Sequence, residues 1–375
     1  MVRNKIRIVL DWAEKFALLV FGSLLSQILL FASGVIVARW LGADLRGELA
    51  VILSLLQVMT VFGMQAVGDT FFVVIARHKV VVAGLGSLVG ILTGIVTIVG
   101  VAAILIVSKL TYGLLNLELF LLLLLNGCFS IYLSLKISVL LALSAKRKFA
   151  NILIARGVLY FILVIQFVYL LKATPSLSAA LYLQLGALIA VVSYFPIKVL
   201  FSGSINVSDI SGSWLRQVFV VKKMSRLIGY NTLINLGFAG VSIIPNLLLV
   251  NKGVPYADIG QFSIAYVLAQ ILTHILKPAT NLLVVDKSLH LTKLHMALAF
   301  GFLLAIAILG WGLLGELIVS LIYGREFIDA AAYFMYLIPF GVLLVFSHMI
   351  NSQLKSIGRI HVSALAMICA YLFVF

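Results

Sequence analysis

Apolar residues arrive in blocks of about twenty along this chain, each closed by a short polar or glycine-bearing segment. Coiled as a helix, a block of that length matches the hydrocarbon thickness of a bilayer. The pattern predicts spans at roughly 16–38, 48–75, 82–107, 118–143, 150–171, 178–198, 227–250, 258–285, 294–314 and 331–351. An eleventh block begins near His361 and reaches Phe375 after about 14 residues, too few to cross. On that ground the chain reads as a fragment lacking its C-terminal spans. Residues 1–15 are basic and amphipathic, with Arg3, Lys5, Arg7 and Lys15, and no small-residue cleavage site follows them.

The stretch Arg39 to Lys79 organises the pattern. A polar turn with Gly42 and Gly47 leads into a long apolar run with a soft centre at Gly63, Gly68 and Asp69, closed by Arg77-His78-Lys79. About 213 residues later, Ala257-Asp258-Ile259-Gly260-Gln261 opens a second such run. At that offset Gln57 and Thr60 fall opposite Gln270 and Thr273, and at 212 Ser144 and Arg147 fall opposite Ser356 and Arg359. Six spans separate the copies, so the repeats are parallel, related by an axis along the membrane normal. The expected division is an N-terminal lobe over 1–200 (spans 1–6), an inter-lobe cytoplasmic loop over 201–226, and a C-terminal lobe over 227–375 (spans 7–10 and part of 11). The fold class is all-α: a polytopic membrane protein with two parallel six-span lobes around a central cleft, the second lobe truncated.

Composition agrees, since 63% hydrophobic and 10% charged residues leave too little polar surface for a soluble domain of 375 residues. Cys128 and Cys369 sit in apolar runs and imply no disulfide framework. A net charge of +15 would suggest nucleic acid in a soluble protein. Here the bases lie between spans and set orientation instead, and no nucleic-acid partner is expected. With the N-terminus in the cytoplasm, the inner segments hold nineteen Lys and Arg, Arg156 among them, and the outer ones six, including Arg39 and Arg46. That is the positive-inside bias of a multi-pass membrane protein. Lys136 and Lys277 remain inside spans.

The residues Ala38-Arg39-Trp40-Leu41-Gly42 with Arg46-Gly47, then Gly63 and Ala76-Arg77, carry a resemblance in the first half. Tyr323-Gly324-Arg325-Glu326-Phe327 and Ile357-Gly358-Arg359 carry it in the second. Together they resemble the Wzx-type polysaccharide (O-antigen) lipid-linked oligosaccharide flippases of the multidrug/oligosaccharidyl-lipid/polysaccharide (MOP) exporter superfamily. The resemblance implies translocation of undecaprenyl-pyrophosphate-linked oligosaccharide repeat units across a bacterial inner membrane for O-antigen, capsule or exopolysaccharide synthesis, by alternating access and with no cofactor. Implied partners are that polyprenyl-linked substrate, membrane lipid and other polysaccharide assembly proteins.

Polar faces mark the candidate site. In span eight Tyr266, Gln270, Thr273, His274, Lys277 and Asn281 share one side, as Asn231, Asn235, Ser242 and Asn246 do in span seven. In span one Ser23, Gln27 and Gly34 align, so spans one and seven are expected to point matching faces at each other across the cleft. Amides, hydroxyls and a tyrosine both donate and accept, which suits sugar hydroxyls: Asn231, Asn235, Asn246, Tyr266, Gln270 and Asn281. The same groups also suit helix-to-helix glue. Lys277, about 13 Å from the inner end, and Lys136, at similar depth, are expensive in lipid unless they face water. They, His274 and Arg39 are the expected head-group contacts, with snorkelling to the interface as the plainer role of the lysines. The opposite side of span four, Asn126, Ser130, Ser134 and Ser138, reads as a packing seam. Asp69 and His274 are candidates for ion coupling; a structural ion pair serves Asp69 equally.

No Walker, metal-ligand or dinucleotide pattern is present, and no catalytic or metal residue is assigned, so the chain is not expected to be an enzyme. A membrane-embedded glycosyltransferase or O-antigen polymerase would need acid–base groups on a sizeable outer loop. A multidrug extruder of the same superfamily would favour acids in the cleft, where this chain carries lysines.

Overall fold

The computed structural model describes residues 2–61, 68, 70, 98, 102, 116–142, 146–194, 214–285, 310–311, 313–357 and 359–374. Within these, the side chains of 2–20, 214–225, 272–285 and scattered single positions lie outside the description. The described residues are helical apart from short connections, with no strand among them. Their helices are α1 (Val2–Thr60), α2 (Leu117–Ala142), α3 (Lys146–Ile165), α4 (Leu177–Tyr194), α5 (Trp214–Asn251), α6 (Tyr256–Val285), α7 (Leu313–Ile322), α8 (Ala330–Ile357) and α9 (Ile360–Val374). In lipid the backbone has no water to bond, so the helix, which satisfies its own polar groups, is the form these apolar runs adopt.

Helix α1 would be about 88 Å long if straight, far beyond a bilayer. It breaks at Gly42, whose φ of 75° and ψ of 175° are non-helical. The break turns the chain back on itself. The first limb (2–41) runs alongside α3 in the same direction: the Ser26 hydroxyl donates to Leu153 O (2.8 Å), and the Trp40 indole N–H donates to Ala173 O (2.9 Å). The second limb (43–60) runs against α5, with Asn246 Nδ2 donating to Ser54 Oγ at 2.9 Å. Gly42 therefore makes the turn that the glycine-bearing polar segment predicts. Gly47 lies inside the second limb and serves another purpose.

The conformation at Gly42 is one that side chains strain to adopt. We expect Gly42→Val to lower stability by roughly 1–3 kcal/mol through the strained backbone alone, since a Cβ there would meet the Glu326 carboxylate at an ordinary contact distance of 3.5 Å. Denaturant titration of the purified protein in detergent measures this.

Three apolar clusters hold the helices. One joins both limbs of α1 to α2 and α4 through Val37, Leu49, Ile52, Leu123 and Leu181. Another joins α2, α3 and α4 through Leu133, Ile152 and Leu188. The third crosses between the halves. In it Ala38 from α1 packs with Ile264, Ala265 and Leu268 of α6, Val319 of α7 and Phe327 of the α7–α8 turn. Helix α3 widens into a π turn over Gln166–Leu170, which leaves Phe167 edge-on to Trp40 (centroids 6.0 Å apart). Trp40 is thus a clamp between α1 and the loop after α3.

Candidate functional site: the seam between the halves

The second limb of α1 and helix α5 face each other along a polar seam. Asn246 donates to Ser54, and Asn231 Nδ2 donates to Thr70 Oγ1 at 3.0 Å. Thr70 follows Ser54 by 16 residues and Asn231 precedes Asn246 by 15, so the two hydrogen-bonded pairs cross the seam in antiparallel order. All four residues are buried, as is Asn235. The asparagines of the stripe predicted on span seven are therefore buried, and two of them address Ser54 in the second limb of α1 and Thr70. The predicted partner was span one. Periodicity gives the azimuth of a stripe on its own helix and leaves the identity of the neighbour open.

The seam is not fully satisfied. Among the described residues Asn231 Oδ1, Asn246 Oδ1 and Asn235 Nδ2 are buried without a hydrogen-bond partner, and so is Gln261 Oε1 on α6. A buried orphan of this kind costs about 1–3 kcal/mol. Two orphaned acceptors and an orphaned donor on one helix face suit a ligand hydroxyl, which both gives and takes a hydrogen bond. On α6 Tyr266 is buried and stacked on Phe340 of α8 with centroids 6.1 Å apart, and Gln270 Nε2 donates to its hydroxyl at 2.6 Å. This pair lies on the predicted face, one turn apart. The side chains of His274, Lys277 and Asn281 continue that face by spacing and lie outside the described residues, as does Asp69.

Cations reach the bundle from several directions. Lys136 is only 4% exposed, in the C-terminal third of α2. On the same helix Asn126 Nδ2 donates to Leu122 O and Leu181 O, and a Cβ at Gly68 would stand 2.7 Å from Ser138 Oγ. The small polar residues of α2 thus form the packing seam expected of them.

Two arginines were assigned to loops by charge counting alone. Arg156 lies ten residues into α3, inside an apolar stretch, and the count across the loops misplaced it. Arg46 lies in the second limb of α1, with Nε buried and no hydrogen-bond partner among the described residues. Both lie close enough to Tyr160 on α3 for their charges to act on its hydroxyl. The signal that finds Arg156 is its position with Tyr160 at i, i+4 inside one apolar run. Tyr323, in the turn after α7 and outside the spans, also feels Arg46. Burial pushes its phenol up to about 12 against that opposing charge, so it is neutral and able to donate at ordinary pH.

Arg39 is engaged. Its guanidinium donates to Leu321 O at the C-terminal end of α7, where cationic donors suit the exposed carbonyls. That bond ties the first half to the second at the Gly42 face. An apolar recess of about 140 Å³ lies elsewhere, between α6 and α8, lined by Leu268, Ile271, Trp311, Phe334 and Ile338. The polar seam itself is shut in this conformation.

No family model matches the chain, and no curated protein matches it in sequence. Solved structures do resemble it. A multidrug resistance MATE family transporter of the MOP superfamily in its outward-facing conformation superposes with a TM-score of 0.63 at 14% identity, over 94% of this chain and 84% of that one. An inward-facing conformation of such a transporter gives 0.58 at 15%, over 90% and 83%. The fold is that of the MATE transporters. A third similar structure is a MOP superfamily transporter from Pyrococcus furiosus, described as having a binding pocket of reverse polarity that suggests a different function (TM-score 0.60, 16% identity, 94% and 84% covered). The all-α, two-lobed arrangement expected from the repeat is thus the observed class, and the likeness extends over nearly the whole chain.

Proposed function

We propose that this chain is an alternating-access transporter that moves a lipid-linked oligosaccharide with an anionic head group between leaflets. The observation that carries this reading is the chemistry of the space between the halves. Buried amides and hydroxyls line it, and Arg46 lies close enough to Tyr160 of the first half and Tyr323 of the second for its charge to act on both. Among the described residues no carboxylate is buried. A guanidinium in low dielectric is costly without an anion, and a pyrophosphate supplies one. The sugars then meet the amide seam and the polyprenyl tail stays in lipid. In this reading the protein sits in a bacterial inner membrane with its N-terminus in the cytoplasm, so the Gly42 face looks outward. Lys277, Lys136, His274 and Arg39 serve the head group, and Asp69 or His274 the coupling ion.

A second reading, multidrug extrusion, is favoured by the fold, because the transporters it resembles include ones described as multidrug resistance proteins. Cationic drugs need acids where they bind, and among the described residues no carboxylate is buried.

The two readings separate in proteoliposomes holding the purified protein. Translocation of a polyprenyl-pyrophosphate-linked saccharide is expected at least tenfold above empty vesicles, with no gradient-driven movement of ethidium. Ethidium transport without saccharide translocation would sink the first reading and support the second.

A further inference from the structure

Gly47 and Gly260 occupy the same place in the two copies of the repeat, 213 residues apart. In the folded chain they meet each other. A Cβ on Gly47 would overlap the Tyr256 carbonyl oxygen and stand 2.7 Å from its carbon and 3.0 Å from Gly260 N. A Cβ on Gly260 would overlap the Ala43 carbonyl oxygen and stand 3.2 Å from its carbon and 3.1 Å from Gly47 N. Ala43 and Tyr256 are themselves repeat equivalents. Such reciprocity, i against j and j against i, marks a contact lying on a two-fold axis. The pseudo-symmetry axis of the molecule therefore passes between these two glycines, and the backbones touch there with no room for a side chain.

Around this crossing several contacts tie one half to the other. Ala38 is buried among Ile264, Ala265 and Leu268. Phe31 meets Tyr323 edge-on at 6.1 Å, and Tyr323 meets Phe327 at 6.2 Å. The Arg39 guanidinium holds Leu321 O. The crossing lies at one end of the lobes, where a rocking motion moves facing surfaces furthest apart. Backbone contact without interlocking side chains seals a helix pair closely and leaves nothing to unthread when it opens.

We infer that the Gly47–Gly260 crossing is the closing contact of a gate at this face, formed when the face is shut and parted when the lobes rock. The inference rests on the transporter reading, yet it concerns conformation and is read without substrate. Adding one methyl group at either glycine penalises the shut state alone and shifts the population toward the open one.

The test begins with Cys128 and Cys369 replaced by serine and a single cysteine placed at Ala265, which is fully buried in the closed contact. Labelling by a membrane-impermeant maleimide is expected to be at least tenfold faster with Gly47→Ala or Gly260→Ala than without. Gly229→Ala, where nothing lies within 4 Å of a new Cβ, should leave the rate unchanged. Folded variants with unaltered labelling would make the crossing a fixed joint and overturn the inference. Should both variants fail to fold, spin labels on Asp44 and Lys252, exposed on either side of the crossing, replace them in the otherwise intact chain. Two interconverting distance populations are expected; a single distance at every pH and detergent condition overturns the gate. Absence of saccharide translocation alongside two gate populations would count against the proposed substrate and not against the gate.

Discussion

Phe327→Ala is expected to lower stability by about 3–5 kcal/mol, among the largest structural losses from a single truncation at the described residues. Phe327 is 1% exposed, among the largest fully buried side chains. It sits in the turn between α7 and α8, outside the apolar helices, so its alternative environment in the unfolded turn is water and the full transfer term applies. Its ring also meets Tyr323 edge-on, and Tyr323 meets Phe31 of the other half. Each such pair adds about 0.5–1.5 kcal/mol beyond burial. Removing Phe327 therefore loosens the turn and the contact between halves together. Phe327→Leu keeps most of the volume and should cost under about 1.5 kcal/mol. Thermal unfolding in detergent, followed by tryptophan fluorescence, distinguishes the two. An alanine variant as stable as leucine would mean the turn collapses freely into the gap.

The largest functional effect is expected at Lys277. Helix α6 continues through Pro278, which removes a backbone donor and frees the carbonyl one turn earlier, at His274. The face leading to that point carries the Tyr266–Gln270 hydrogen bond. In the proposed function Lys277 holds the pyrophosphate while the lobes rock. Lys277→Arg should keep partial transport, because charge persists while the geometry changes. Lys277→Ala should insert at normal abundance and abolish translocation, and Lys277→Glu should be worse through repulsion of phosphate. Saccharide translocation measured beside membrane abundance decides it. Full activity of Lys277→Glu at normal abundance would mean the lysine reaches the interface and takes no part in binding.

How much was legible beforehand differs from residue to residue. The turn at Gly42 was readable because a bilayer limits helix length, and a glycine between two apolar blocks leaves the chain one place to reverse. The two-fold repeat was readable because equal offsets recur at unrelated residue types, such as Gln57 with Gln270 and Ser144 with Ser356. The asparagine face of α5 was readable from period alone, since spacing fixes which side chains share a side. Arg156 was misread because counting charges between spans treats a base near a boundary as a loop residue, whatever its depth.

By itself, then, the sequence determined the quantities that water and lipid set one residue at a time: which blocks are apolar and long enough to cross, where α1 reverses, and which face of α5 carries the asparagines. Transfer from water to hydrocarbon is large, local and additive along a block, so it survives without knowledge of neighbours. Only the tertiary structure decided who those faces meet. Asn231 and Asn246 turn to Thr70 and Ser54, Arg39 reaches across to Leu321, and Gly47 meets its own repeat partner Gly260 on the axis. Contacts between helices in a membrane are each worth about 1 kcal/mol, and alternative neighbours offer similar terms. Choosing among them requires all the helices to pack at once, and no stretch of sequence read alone contains that condition.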